Sequence, residues 1–296
     1  MADALKSYLK RAYRQVVGAR RYERLEFRRH LGYWPNLDDP QTFNEKICAR
    51  KFHPFPEATA LADKLAVREF VAEKAGPQFL TQLYGSGASP EAVDYDTLPD
   101  RFVLKGNHSS GPAARLLVRD KATLPHRAFV AAGRRILRRR FGPEVNEWWY
   151  SKIIPQLLVE EMLLDDDGSL PTDLKFYVFG GTVHYVQIIS GRNRTTKSRF
   201  YDRFWRPQPF TRRGFDSPVD RPRPSNLADM ITLAEALGDG LEFVRVDLYS
   251  IGTRIFFGEM TLAPGAGWIA FDPPEYDLVL GEHWPDQPLP ASERCA

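Results

Sequence analysis

The chain has 296 residues, 43% of them hydrophobic and 27% charged, with a net charge of +3. That usage is globular and excludes wholesale disorder, and the length supports one large domain or two smaller ones without covalent staples. Cys48 and Cys295 are too few and too far apart for a disulfide framework or a zinc site, so the expected compartment is the cytoplasm, and no apolar run approaches the ~18 residues of a membrane span.

The charge is uneven. Residues 1–30 hold nine basic and three acidic side chains, a net +6 that leaves −3 for the remainder. Charges interrupt every apolar stretch there, so a secretory h-region is not expected. Leu5, Leu9, Tyr13, Val16 and Val17 fall near helical spacing and predict a basic amphipathic helix. LGYWPNLDDPQTFNEK reads as loop. Asp63 is placed to cap a helix through LAVREFVAEKA, with Gly76 as its stop. Arg101 to Lys105 reads as a strand, GNHSSG as a glycine-bounded loop, and ARLLV as the returning strand. HRAFVAAGRRILRRRFG reads as a basic helix. Strands follow at LLVEEMLL, DLKFYVF and TVHYVQII, the last two joined by Gly180-Gly181. Residues 192–213 form a basic, aromatic excursion that carries Arg192, Arg194, Phe200, Tyr201, Phe204 and Trp205. LADMITLAEALGDGL reads as a helix, and FVRVDLY and RIFFGEMTL as strands around SIGT. This order predicts a mixed α/β fold of the α+β type.

The richest segment is FVRVDLYSIGTRIFFGEMTLAPGAG. By the period of two, Arg245, Asp247 and Tyr249 share a face, as do Phe257, Glu259 and Thr261. Glu259 then comes near Asp247 across the hairpin. Two close carboxylates require a cation or proton between them, and carboxylate and hydroxyl oxygens suit Mg²⁺. An Arg–Asp or Arg–Glu ion pair in a sheet is an equal alternative. Lys105 ends a strand before Gly106 and Gly111, but Pro112 excludes a Walker A motif. Such a hairpin can cover phosphates with Ser109 or Ser110 as donors, or be a plain surface turn. Lys64 at a helix start opposes the helix dipole, which a phosphate would explain. Lys175 reads as an edge-strand lysine or as a cleft residue. Glu160 and Glu161 in an apolar strand suit an adenine slot, or are one paired and one exposed glutamate.

In order, ADKLAVREFV, LPDRFVLKGNHSSG, EWWYSKIIPQLLVEEML, DLKFYVFGG and FVRVDLYSIGTRIFFGEMTLAPGAG resemble successive blocks of the TupA-like (teichuronopeptide biosynthesis) branch of the ATP-grasp superfamily. PQTFNEKI fits that branch too, and the likeness covers roughly residues 35–285. It implies an ATP-grasp fold with ATP held between two subdomains. The implied division is a basic helical segment over 1–34, an N-terminal part over 35–100, a lid subdomain over 101–156 and a C-terminal subdomain over 157–290.

The resemblance also implies roles. Lys64 and Lys105 would hold ATP phosphates, with Ser109, Ser110 and Gly111 in the covering loop. Glu160 would accept from the adenine amino group, and Glu161 to Leu163 would supply backbone contacts. Asp247, Glu259 and Thr261 would ligate Mg²⁺, Thr261 standing where the wider superfamily has Asn. Arg245 would balance charge on the transferring phosphoryl group, and Lys175 would lie near it. The implied reaction is ADP-forming ligation of a carboxylate to an amine through an acyl phosphate. The implied partners are an anionic saccharide or nucleotide-sugar acceptor of capsule-like polysaccharide, and an amine or amino acid, with no nucleic acid. Two other readings are a sugar kinase or glycosyltransferase-associated enzyme of the same pathway, and a non-catalytic adaptor for polyanions or membranes. Residues 1–30 are the expected peripheral contact with the inner membrane face.

Overall fold

The computed structural model describes residues 2–53, 55–190, 197–215 and 220–285. Helices α1 (Ala2–Val17) and α2 (Ala19–Leu31) occupy the basic segment. Two helices form instead of one because Gly18 sits at φ 82°, a conformation open to a residue without Cβ. Helix α3 (Phe43–Arg50) begins within the last residues of the stretch read as loop, opened by a capping box in which Thr42 and Glu45 satisfy each other's backbone N–H groups.

Next come α4 (Ala58–Ala62) and α5 (Val67–Lys74). The Asp63 carboxylate accepts from the N–H groups of Leu65 and Ala66, closing a turn ahead of α5. Lys64 therefore precedes that helix and does not sit in its first turn. Strands β1 (Leu83–Gly87), β2 (Phe102–Gly106) and β3 (Arg115–Val118) lead to α6 (His126–Leu137) and β4 (Leu157–Glu161). Then follow β5 (Asp173–Phe179), β6 (Thr182–Ser190), β7 (Lys197–Asp202), β8 (Thr211–Arg212) and α7 (Leu227–Gly238). The described chain closes with β9 (Phe243–Ile251), β10 (Arg254–Thr261), β11 (Phe271–Asp272) and α8 (Tyr276–Glu282).

These elements divide into two compact units. One comprises the described parts of residues 1–55, 144–146 and 171–296, the other those of 56–143 and 147–170. The second unit holds an antiparallel sheet in the order β1-β4-β2-β3. Phe102, Leu104, Leu157 and Val159 pack against Phe129 and Ile136 of α6. The first unit holds an antiparallel sheet in the order β10-β9-β5-β6-β7, and a small β11-β8 pair. On one face of the larger sheet Val178 and Val244 crowd Gly238 of α7, where a Cβ would stand 2.5 Å from Val178.

The basic, aromatic excursion proves largely structural. Part of it is β7, an outer strand of the larger sheet. Phe200 and Tyr201 are buried, Trp205 is nearly so, and Tyr201 and Trp205 stack at 4.3 Å. Phe204 alone of these four is exposed, and Arg192 and Arg194 lie outside the described residues.

Beside α2 lies a polar core. Glu23 and Lys51 form an ion pair at 2.8 Å with both side chains fully buried. Lys51 also donates to the Ala266 carbonyl, while Glu23 accepts from Trp268 Nε1 and Asn146 Nδ2. The pair thus braces the turn Pro264–Gly267, where Gly265 and Ala266 both take left-handed backbone conformations. Cys48 is buried against this turn and donates toward the Gly267 carbonyl, and burial pushes its thiol well above the usual range. Removing one partner of such a pair strands the other charge in the interior. Lys51→Met is expected to cost about 3–5 kcal/mol in urea denaturation. The double variant Lys51→Met/Glu23→Gln should recover part of that loss, and a double-variant loss equal to the sum of the two single losses would show that the charges are uncoupled.

Candidate active site

The larger sheet brings one row of functional side chains into register. Glu259 on β10 opposes Asp247 on β9, Asp247 opposes Lys175 on β5, and Lys175 opposes Gln187 on β6. Thr261 opposes Arg245 one step along. Directly opposed residues in a sheet lie close on the same face, so strand pairing alone collects this set. A bulge between Phe257 and Glu259 sets the alignment at Gly258. A Cβ at Gly258 would lie 3.0 Å from both the Asp247 carbonyl and the Tyr249 ring.

Asp247 is the centre of the row, with a side chain 2% exposed. Arg245 grips it with two prongs, Nε to Oδ1 and Nη2 to Oδ2, each at 2.6 Å. Lys175 Nζ donates to Oδ2 at 2.5 Å and to Asp173 at 2.5 Å. Arg245 Nη2 also reaches Thr261 Oγ1 at 2.9 Å and Glu259 Oε1 at 3.3 Å. Burial opposes the charge on Arg245 and Lys175, but Asp247 outweighs it and both bases are held above their ordinary values. Burial pushes the Asp247 carboxyl up, against the pull of the same two bases. The Arg–Asp and Arg–Glu pairs allowed by the sequence are thus present. The edge-strand reading of Lys175 is corrected, because β5 is the middle strand of five.

The second unit holds a separate group. Lys105 and Glu160, on adjacent strands β2 and β4, form a close ion pair. Arg68 Nη1 lies 3.8 Å from the same carboxylate, and Thr81 Oγ1 donates to it at 3.3 Å. Glu161 instead lies at the margin, its carboxylate accepting from the Gln82 N–H at 3.3 Å. Leu163 follows β4 and is partly buried.

The glycine hairpin forms between β2 and β3, with Lys105 opposite Arg115. Its first half is tied down. Asn107, fully buried, donates to Asp63 and to the Ile154 carbonyl, and accepts from the Gln156 N–H. Lys64 donates from its backbone to the Asn107 carbonyl and from Nζ to the Ser109 carbonyl at 3.1 Å. Ser109 is 1% exposed, and its hydroxyl has no hydrogen-bond partner. Ser110 is partly buried and Gly111 is exposed at φ 87°. Asn107 thus anchors the start of the loop, ahead of Ser109, Ser110 and Gly111.

The family model of TupA-like ATP-grasp proteins matches residues 45–284. The chain belongs to the TupA-like ATP-grasp family. Its fold is accordingly ATP-grasp, a mixed α/β fold with antiparallel sheets. Solved structures with which it shares similarity include the ATP-grasp ligase PsnB with its minimal precursor, at 12% identity and TM-score 0.39, covering 70% of this chain and 54% of that one. Another is the N5-carboxyaminoimidazole ribonucleotide synthetase purK with ADP, at 11% identity and TM-score 0.44, covering 69% and 45%. A third is the D-alanine–D-alanine ligase of Bacillus anthracis with ATP, at 13% identity and TM-score 0.40, covering 69% and 54%. The chain thus spans about half the length of these three structures. Comparison with proteins of curated function yields no match.

The residues of this ATP-grasp chain fit the groups its family name implies. Two carboxylates and a hydroxyl converge on the single cationic guanidinium of Arg245, an all-oxygen set of the kind Mg²⁺ takes. Among the described residues no three His, Cys, Asp or Glu side chains gather as a metal cage. A partial oxygen set is what Mg²⁺ uses when substrate oxygens and water complete its shell. Asp247 can join only by loosening its contacts with Arg245 and Lys175, whereas the Glu259 side chain is 34% exposed. The unbonded Ser109 hydroxyl, next to the residue carbonyl that holds the Lys64 ammonium, suits a phosphate oxygen.

Four contributors were absent from the sequence reading. Asp173 shares the parity of Lys175, so the period of two could have found it. Gln187 accepts from the Tyr177 hydroxyl and donates to Ser198, while Arg68 and Asn107 arrive by tertiary packing with no local signal. Asp247→Asn leaves two buried cations facing a neutral amide. It is expected to cost about 3–5 kcal/mol in urea denaturation. Combined with Lys175→Met it should show a coupling of at least about 1 kcal/mol, and strict additivity would refute the shared pair.

Proposed function

We propose that this protein is an ATP-dependent, ADP-forming ligase that joins the carboxylate of an acidic saccharide to an amine or amino acid. The observation that carries the reading is the Asp247 cluster. An acid and two bases are buried together in mid-sheet, at a cost of several kcal/mol per ion that the fold alone does not require. Family membership supports ATP as the nucleotide.

In this reading Asp247, Glu259 and Thr261 hold Mg²⁺, and Lys64, Lys105 and Ser109 hold phosphate oxygens. Glu160 and the backbone from Glu161 to Leu163 meet the adenine, with Ser110 and Gly111 in the covering turn. Glu160 must then share its carboxylate with Lys105. Bound there, Mg²⁺ would neutralise phosphate charge. Arg245 and Lys175 supply fixed positive charge where charge develops on the transferring group, a contribution that needs no reorganisation at the moment of reaction. The saccharide carboxylate attacks the terminal phosphorus and becomes an acyl phosphate as ADP leaves. The amine, as its free base, then displaces phosphate to give the amide. Burial of the cluster keeps water away from the activated carboxyl.

A second proposal concerns the N-terminal helices. Lys10 pairs with Glu26 and Arg11 with Glu144, so the charged side of α1 faces inward. Leu9, Tyr13 and Val16, at i, i+4 and i+7, are exposed. An outward apolar stripe on a basic helix supports a peripheral contact with anionic lipid. Among the described residues no helix is long and apolar enough to cross a membrane.

Purified protein with MgATP, a uronic acid and an amino acid should release ADP and phosphate only when both partners are present. Hydroxylamine in place of the amine should yield a hydroxamate. Glu259→Gln should lower kcat by about a hundredfold or more. Phosphorylation of the sugar without an amine would instead establish a kinase. Leu9→Glu/Val16→Glu should weaken sedimentation with phosphatidylglycerol vesicles, and unchanged sedimentation would discard the lipid contact.

A further inference from the structure

A cavity of about 620 Å³ opens on the outer side of α2, lined by Arg20, Arg21, Arg24, Leu25 and Trp34. It precedes the family match, which begins at residue 45, and shares no residue with the Asp247 cluster. Its composition is unusual for a solvated helix face. Three guanidinium groups on one and a half turns repel each other, which burial of apolar neighbours does not explain. The Trp34 ring stays 47% exposed, with Arg28 4.5 Å and Arg24 5.7 Å from its centroid. Arg20 pairs with Asp38 at 2.5 Å, and that carboxylate is 88% exposed.

We propose that this cavity is a binding site for an acidic saccharide. Each part answers one part of such a ligand. Arg21 and Arg24 provide fork-shaped donors for a carboxylate. The half-open indole provides a flat apolar platform for the C–H face of a sugar ring, and the arginines over it hold it in place. Asp38, oriented by Arg20, is an acceptor for sugar hydroxyls. An acidic acceptor paired with a lining arginine disfavours a nucleic acid, whose backbone presents anionic oxygens in place of hydroxyl donors, and a single ring gives no run of stacking platforms. The choice of a saccharide among anions rests on the ligase reading above. The site would hold chain units other than the one being joined, raising the local concentration of the reacting carboxylate.

The test is a titration of the whole protein, without nucleotide, using a hexameric oligogalacturonate as probe and a neutral malto-oligosaccharide of equal length as control. The wild type should bind the acidic probe alone, and more weakly as salt rises. Arg21→Gln/Arg24→Gln should weaken binding by about tenfold or more, and Trp34→Ala by a smaller factor, with ADP affinity unchanged. Equal binding by the double variant, or none by the wild type, overturns the assignment. Tighter binding of a single-stranded oligonucleotide or phosphatidylglycerol vesicles through the same arginines also overturns it. If acidic saccharides drive ADP release with the same KM in wild type and double variant, the cavity assignment fails and the ligase reading stands. If the probe binds as described but no acidic saccharide drives ADP release, the ligase reading fails and the cavity stands.

Discussion

The carboxylate of Asp247, held by Arg245 and Lys175 inside a five-stranded sheet, is the constraint around which the first unit is arranged. Ions leave water only when partners replace the solvent, and here every partner comes from a strand position fixed by pairing. The same geometry shapes the opposite face, because side chains alternate along each strand. Val244, Val246 and Leu248 must turn toward α7, and they are fully buried. One register therefore decides both where the charges gather and where the oil goes. A slip by one residue would place Asp247 in the apolar layer.

The second unit solves a related problem with different means. Its charges cluster at the sheet surface, where Glu160 is shared among Lys105, Arg68 and Thr81. Its loop is fixed by one amide: Asn107 uses its nitrogen for Asp63 and Ile154 and its oxygen for Gln156. A buried Asn with both ends satisfied acts as a rivet, since each bond lost leaves a polar atom stranded. The Ser109 hydroxyl, two positions on, is buried without a hydrogen-bond partner.

Much of this was legible beforehand because strands obey a period of two. Arg245, Asp247, Glu259 and Thr261 could be placed together by parity and a hairpin turn, although the bulge at Gly258 was needed to bring Glu259 level with Asp247. The hairpin after Lys105, the Gly180-Gly181 turn and α7 follow from equally local rules. Other features were hidden for physical reasons. Gly18 splits a continuous helical pattern without altering its apolar spacing. The capping box at Thr42 lay inside a proline-flanked stretch that read as loop. The burial of Phe200, Tyr201 and Trp205 was hidden because sequence does not reveal which side of a strand is covered. Arg68 was invisible because its partner Glu160 is distant in sequence.

In the two-helix lead segment Lys10 of α1 pairs with Glu26 of α2 and Arg11 with Glu144, while the buried pair Glu23–Lys51 fastens α2 near Cys48. Encased against the turn Pro264–Gly267, with its proton held firmly, that sulfur is shielded from alkylating reagents for as long as the packing persists. Its reaction with a thiol label then serves as a clock for local opening of this seam, timed independently of any nucleotide chemistry.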